Sequence, residues 1–341
     1  MSTRPATLRS IAQQLDIHVS TVSRVLNGDI ARAGRAASKE TIDRIRALAA
    51  SLDYRPNTHA TTLKTQRSHE IAVLVPRLSD IVLATIYEGI DRAASDLGYT
   101  AFVANTLDRP ERQRALAERA LARNVDGLII SDAHCTPEPD FIDVLAQREI
   151  PFVLVSRRKG HFCSVTSDDM QGGRLAARHL YQQGHRRVAI IAGQAYTGNA
   201  LERTRGFCQY YREQGIDIPA SHIIHGPFDS ETGFLIGGRL LALNPRPTAI
   251  FAVNDFLAIG LMGAMRDRGL AAGRDMAVVG YNDTPLAAHL QTPLTSISTC
   301  MEQQGYRAVE MLLRRINGET VEPFRFPPVL TVRASSRCGP R

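Results

Sequence analysis

Apolar and polar positions recur with two different periods along this chain, and the change of period divides it. Near the start, Leu8, Ile11, Ala12 and Leu15 fall at helical spacing behind Thr7, a capping residue type, which predicts a helix over 8–15. Asp16, Ile17 and His18 interrupt it. A second helix is expected from Val19 to about Asn27, with Val22, Val25 and Leu26 turned inward and Asn27-Gly28 as its stop. Residues 28–37, GDIARAGRAA, read as a loop whose Arg32 and Arg35 suit phosphate contacts and plain solvation equally. A third helix follows Ser38 and gathers Ile42, Ile45, Leu48 and Leu52 on one side. Two short helices across a tight turn, braced by a third, make a helix-turn-helix pattern.

From Glu70 onward the pattern is different. Short, uninterrupted apolar runs, IAVLV (71–75), AFVAN (101–105), DGLIIS (126–131), PFVLVS (151–156), VAIIAG (188–193), AIFAV (249–253) and MAVVG (276–280), alternate with helical stretches near 84–97, 111–123, 170–182, 200–214, 231–242 and 256–268. Apolar strands separated by amphipathic helices predict parallel sheets covered on both faces. So long a stretch exceeds what one core organises, and the pattern restarts after a loop near residue 160. Two lobes are therefore expected, with a ligand cleft between them beyond the strand C-termini.

Charge adds a second division. Of 41 basic and 34 acidic side chains, 11 and 5 fall in residues 1–69, which leaves 30 and 29 for the rest. The excess positive charge is concentrated at the start, where it favours a polyanionic partner through counterion release. The outer face of the second helix carries Ser20, Thr21, Ser23, Arg24 and Asn27. Its hydroxyls suit phosphate oxygens, and the Arg24 guanidinium suits the O6/N7 edge of guanine. The remaining composition mostly excludes. No apolar run approaches the roughly 18–20 residues of a membrane span, and the start lacks a secretory core, so a soluble, cytoplasmic chain is expected. Five scattered cysteines, never in CxxC spacing, suggest neither a zinc site nor a disulfide framework.

The segments TLRSIAQQLDIHVSTVSRVLNG and SKETIDRIRALAASLDYRPN resemble the DNA-binding head of the LacI/GalR family of bacterial transcription regulators. VDGLII, HLYQQGHRRVAIIAG, LERTRGF, FAVNDFLAIG, VVGYNDTP, TPLTSI and VRASS extend the resemblance over almost the whole chain. It implies an α/β protein: an N-terminal helix-turn-helix head (1–56), a hinge (57–69), and a two-lobed body with parallel sheets like that of periplasmic binding proteins (70–341). Val19, Ser20 and Arg24 stand where the family reads bases, with Thr7, Thr21, Ser23 and Asn27 near phosphates. Val19 also continues the apolar stripe, where it would simply pack. Asn57 matches the start of the hinge helix, and Leu63 the residue that wedges into the minor groove and kinks the duplex. Thr61 and Thr62 form helix weakly, so a hinge ordered only by DNA is expected. Asp16 and His18 depart from the family's turn glycine and capping Ser or Thr.

In the body, the resemblance implies that Arg203 binds the effector, that Phe228 stacks on it and that Asn254 makes a polar contact. By itself, Phe228 is as consistent with core as with a ligand platform. Asp80, Val82, Leu83 and Ile86 match one wall of the site, Ser131 ends the third strand, and Asp168 is a further candidate. Asn282 departs from the family, because GYND stands where GYDD is usual. Loss of that carboxylate beside Arg203 points to an effector more anionic than a neutral sugar.

The sequence shows no phosphate-binding loop, nucleophile elbow, HExxH or GxGxxG, and no cofactor or metal is expected. Two function classes stay in view. The first is a sequence-specific DNA-binding transcriptional regulator, a repressor by resemblance, controlled by a small sugar-like effector. The second is a sugar-handling enzyme or solute-binding protein with an appended helix-turn-helix. As a regulator the chain is expected to form a homodimer on a near-palindromic double-stranded operator, since one head reads too few base pairs. The absence of leucine heptads near the end favours a dimer over a tetramer.

Overall fold

A computed structural model describes residues 6–27, 30–54, 67–136 and 138–337. The chain divides into two units at Ser68/His69. The hinge positions Asn57 and Leu63, and Cys338, lie outside the described residues.

The first unit contains α1 (Leu8–Leu15), α2 (Val19–Asn27), α3 (Ile30–Ala36) and α4 (Lys39–Ser51). Ile11, Ala12, Val22, Val25, Ala33, Ile45 and Ala49 form its buried core. Thr7 caps α1 reciprocally with Ser10: its Oγ1 accepts from the Ser10 N–H at 3.1 Å, while Ser10 Oγ accepts from the Thr7 N–H at 2.9 Å. Both departures in the turn are accommodated. Asp16 takes the left-handed conformation (φ 52°) that a glycine would supply, a region short acidic residues tolerate. His18 replaces the capping hydroxyl with its ring, since Nδ1 accepts from the Ser20 N–H at 3.2 Å and bonds Ser20 Oγ at 2.7 Å. Where the sequence reads a loop over 28–37 the structure has α3. Ala33 is buried in the core, and an alanine at the buried position gives little periodic signal.

The second unit begins with β1 (Glu70–Val75), α5 (Ile81–Asp96), β2 (Thr100–Asn105), α6 (Pro110–Leu121), β3 (Gly127–Ile130), α7 (Phe141–Gln147), β4 (Phe152–Val155) and β5 (Ser164–Ser167). It continues through α8 (Asp169–Gln182), β6 (Val188–Ala192), α9 (Gly198–Glu213), β7 (Ile223–His225), α10 (Ser230–Leu241), β8 (Ala249–Ala252) and α11 (Asp255–Arg266). Then follow β9 (Ala277–Asn282), α12 (Pro285–His289), β10 (Thr295–Ser298), α13 (Met301–Ile316), β11 (Phe324–Phe326) and β12 (Val329–Thr331).

Among the described residues these strands form two sheets, in the orders β11-β5-β4-β3-β1-β2 and β12-β10-β9-β8-β6-β7. Central strands are buried along their length, as apolar runs covered by helices on both faces must be. All pairs are parallel except β10 with β12, so the second sheet is mixed rather than wholly parallel. The first lobe also does not end near residue 160. β5 still belongs to it, and the chain returns to it for α13 and β11 before closing the second sheet with β12. The lobes are thus joined by three crossings, at 167–169, 298–301 and 326–329.

Three helix pairs, α5 with α13, α8 with α9 and α10 with α11, come together at reciprocal glycines. A Cβ on Gly89 would strike Glu302 O, and one on Gly305 would strike Ile86 O. The same holds for Gly173 with Arg203 O and Gly206 with Met170 O, and for Gly233 with Leu257 O and Gly260 with Ser230 O.

Candidate functional site

On the head, α2 buries Val22 and Val25 and turns Val19 and Arg24 outward, with Val19 36% exposed. Ser20, Thr21 and Ser23 are half-buried at its flanks, and Thr7 is exposed at the start of α1. The backbone of Asn27 closes α2. Those candidates therefore lie on one helix and the N-terminus of its neighbour, an arrangement that can meet a groove and its phosphates.

In the body a cavity of about 380 Å³ opens between the lobes. Asp80, Val82, Leu83, Arg203, Phe228, Asn254 and Asn282 line it. Several of its polar groups sit there because they begin helices. Asp80 caps α5, its Oδ1 accepting from the Val82 N–H at 3.0 Å, and Asn254 caps α11, its Oδ1 accepting from the Leu257 N–H at 2.8 Å. Strand C-termini lead into helix N-termini at this edge, so caps point into the cleft. Burial pushes the Asp80 carboxyl above its ordinary value, against the Val82 N–H and the charges of Arg157, Arg77 and Arg203. Phe228 lies over Gly193, where a Cβ would strike its ring.

Three candidates lie elsewhere. Ile86 packs in the core of the first lobe, on the inward face of α5. Ser131 is buried, with its hydroxyl donated to Leu74 O at 3.0 Å. Asp168 caps α8 by accepting from the Gln171 N–H at 3.0 Å and does not line the cavity.

Arg203 is fixed more tightly than the sequence suggests. Its Nε donates to Asp169 Oδ1 at 2.7 Å and its Nη1 to Val253 O at 2.9 Å, and its guanidinium carbon lies 3.8 Å from the centre of the Tyr281 ring. Asp169 pairs with its charge, and Arg77 and Arg157 are further guanidinium groups on the cavity wall. Asn282 ends β9 with φ 98°, and its Oδ1 has no hydrogen-bond partner among the described residues. Asp255 holds the segment that carries Asn282. Its carboxylate accepts from the Thr284 N–H (2.7 Å), Thr284 Oγ1 (2.9 Å) and Ser296 Oγ (2.6 Å), and so joins the VND, NDTP and PLTS segments.

Sequence reasoning missed part of the wall. Asp108, Arg157 and Tyr196 face the cavity from loops, Asn199 from the first turn of α9 and Phe256 from the first turn of α11. Asp108 accepts from Arg157 at 2.7 and 3.2 Å and from the Tyr196 hydroxyl at 3.0 Å, and lies 3.1 Å from His134 Nε2. Against the upward push of burial, His134 and Arg157 hold its carboxyl far below the carboxylate range. The only local signal of Asp229, another lining residue, is its place as the cap of α10. Among the described residues no cluster of three His, Cys, Asp or Glu side chains is arranged to hold a metal, and no helix is long and apolar enough to cross a membrane. Cys135, Cys163, Cys208 and Cys300 are free thiols.

Residues 7–57 match the family model for bacterial regulatory proteins of the lacI family, and residues 177–336 that for a periplasmic binding protein-like domain. The HTH-type transcriptional repressor PurR of Klebsiella pneumoniae (strain 342) is 30% identical over 98% of both chains. That of Vibrio cholerae serotype O1 (strain M66-2) is 28% identical over 93% of both. Among solved structures, the Lac repressor dimer bound to operator and the anti-inducer ONPF superposes with a TM-score of 0.87 at 28% identity, covering 97% of this chain and 99% of the other. The complex of the transcriptional regulator CelR with cellobiose gives 0.72 at 28%, covering 97% and 100%. With its capped α2 head, its two lobes of mainly parallel strands and this end-to-end similarity, the chain belongs to the lacI family of bacterial regulatory proteins.

Proposed function

We infer that the protein is a sequence-specific DNA-binding transcriptional repressor whose grip on an operator is set by a small molecule held between the lobes. The observation that carries this reading is the two-sidedness of α2: an inner face committed to the core and an outer face presenting Val19 and Arg24, with Ser20 at its flank. In this reading Arg24 reads a base, Val19 and Ser20 contact base edges, and Thr7, Thr21, Ser23 and Asn27 hold phosphates. Asn57 starts a hinge helix, and Leu63 wedges into the minor groove. Two copies bind as a homodimer, with half-sites about one helical turn apart.

The effector is an uncharged, hydroxyl-bearing molecule such as a sugar. Asp80 and Asn254 supply acceptors, Arg203 supplies a directed donor whose charge Asp169 cancels, and Phe228 and Phe256 offer apolar faces. Sugar hydroxyls both donate and accept, which suits a wall where Asp80 and Asp229 stand beside Arg77 and where Asp108 and Asp169 hold Arg157 and Arg203. Binding that changes how the lobes close is coupled to operator affinity through the hinge. Fluorescence anisotropy on DNA upstream of the protein's own gene, with and without a panel of neutral sugars, tests the reading. Equal affinity for that DNA and for random duplex at physiological salt would overturn it.

A further inference from the structure

At the mouth of the cavity, whose wall includes Asp108 and Tyr196, the two lobes are tied by a set of contacts made wholly between protein groups. On the first lobe, three loops converge: the β2–α6 loop with Asp108, the β3–α7 loop with His134 and Cys135, and the β4–β5 loop with Arg157 and Arg158. On the second lobe, the β6–α9 loop and the start of α9 present Tyr196, Gly198 and Glu202. The Tyr196 hydroxyl donates to Asp108 Oδ2 at 3.0 Å, and Tyr196 O accepts from the Cys135 N–H at 2.8 Å. The Tyr196 ring lies 4.4 Å from the His134 ring, centre to centre. Arg158 pairs with Glu202, whose side chain is 12% exposed. A Cβ on Gly198 would come within 2.8 Å of Cys135 Sγ, so the loops meet at van der Waals distance.

Asp108 is the centre of this arrangement. Its two oxygens are shared by Arg157 and His134 of its own lobe and by Tyr196 of the other. Leu107 and Asp108 both have positive φ (58° and 56°), a conformation that costs non-glycine residues energy and persists where surrounding contacts fix it. Three chain crossings join the lobes among the described residues, and contacts at the cleft mouth lie where they bear on how readily it opens.

We propose that Asp108, Tyr196 and the Arg158–Glu202 pair form a clasp that holds the lobes together independently of any effector, with Asp108 as its positioning residue. The clasp sets a resting population of closed molecules. An effector then shifts that population rather than creating closure from nothing.

The chain contains no tryptophan, so Phe256→Trp, on the cavity wall, supplies a single reporter in the full-length protein. Acrylamide quenching then measures how open the cleft is, with no DNA and no effector present. Tyr196→Phe removes one oxygen and leaves the ring on His134, and Glu202→Gln removes the separate ion pair. Each is expected to raise the quenching constant by about twofold or more, and both together by more than either, because hydrogen bonds to charged groups shift such equilibria strongly. Arg148→Gln, which breaks an ion pair with Glu118 inside the first lobe, is expected to leave it unchanged. Quenching constants for both clasp variants equal to that of the reporter parent, with helical circular dichroism retained, overturn the clasp. A rise equal to that produced by Arg148→Gln does so as well. Failure here leaves the DNA-binding reading intact, since neither DNA nor effector enters the measurement.

Discussion

Replacing Asp169 by Asn tests whether the cavity wall is organised by a buried charge pair. The Asp169 and Arg203 side chains are only 3% and 6% exposed, with Oδ1 and Nε 2.7 Å apart. Removing one partner of such a pair costs about 3–5 kcal/mol, because the remaining charge stays out of water without compensation. Asparagine keeps an acceptor for Nε, and Arg203 retains Val253 O and the Tyr281 ring, so the lower end, about 3 kcal/mol, is expected. For a unit of this size each kcal/mol lowers the melting temperature by roughly 2–4 °C, which gives a fall of about 6–12 °C. Differential scanning calorimetry reads this directly. The double variant Asp169→Leu with Arg203→Met removes both charges and should recover most of the loss, since the penalty belongs to the orphaned guanidinium. A single variant that melts within about 2 °C of the parent would refute the reasoning. A double variant as unstable as the single one would refute it too.

Other expectations follow from the same geometry. Arg24→Ala should cost about 1–3 kcal/mol on the specific operator and much less on random duplex, by anisotropy at fixed salt; equal losses would remove its base-reading role. Leu63→Ser should reduce operator bending in a gel-mobility assay while leaving the melting temperature unchanged. Gly305→Ala places a methyl against Ile86 O and should destabilise the body by about 1–3 kcal/mol in urea unfolding. Burial raises the Asp255 carboxyl to about 6, so the folded protein holds this proton more tightly than the unfolded chain. Stability contributed by the protonated form is therefore lost as pH rises from about 4 to about 6, by on the order of 2–3 kcal/mol, and is flat above. Asp255→Asn should abolish that slope in melting curves taken across this range.

How much of this could be read beforehand depended on what each element buries. β3, β4, β6 and β8 are apolar throughout, and β1 and β9 are so apart from Glu70 at the start of one and Asn282 at the end of the other, so the apolar runs alone locate them. β5 (SVTS) and β10 (TSIS) are almost wholly buried, yet serine and threonine at three of the four positions in each mask the run. Their burial comes from sheet partners far away in sequence. In the site, family motifs brought Arg203, Asn254 and Asn282 to the same cavity because those residues touch it. Asp169 and Asp255 escaped notice because they act through other residues: Asp169 on Arg203, 34 positions away, and Asp255 on Thr284 and Ser296, 29 and 41 positions away. Asp108 and Tyr196 lie 88 positions apart, and no local pattern links them. His18 shows the opposite case, in which a departure from the family's usual residue proves chemically equivalent once its ring nitrogen is seen to cap α2.

The late return of the chain has a consequence for how the protein is made. The edge strands of both sheets, β11 and β12, come from adjacent stretches within residues 324–331, separated by Pro327 and Pro328, and α13 seals the first lobe just before them. As the polypeptide leaves the ribosome, neither lobe can be finished until almost all of the body has emerged. The nascent body must therefore wait half-built, with apolar surface uncovered beneath the future position of α13. A message cut short near codon 300 would yield two unfinished lobes rather than one sound one, so truncated products have no stable half in which to persist.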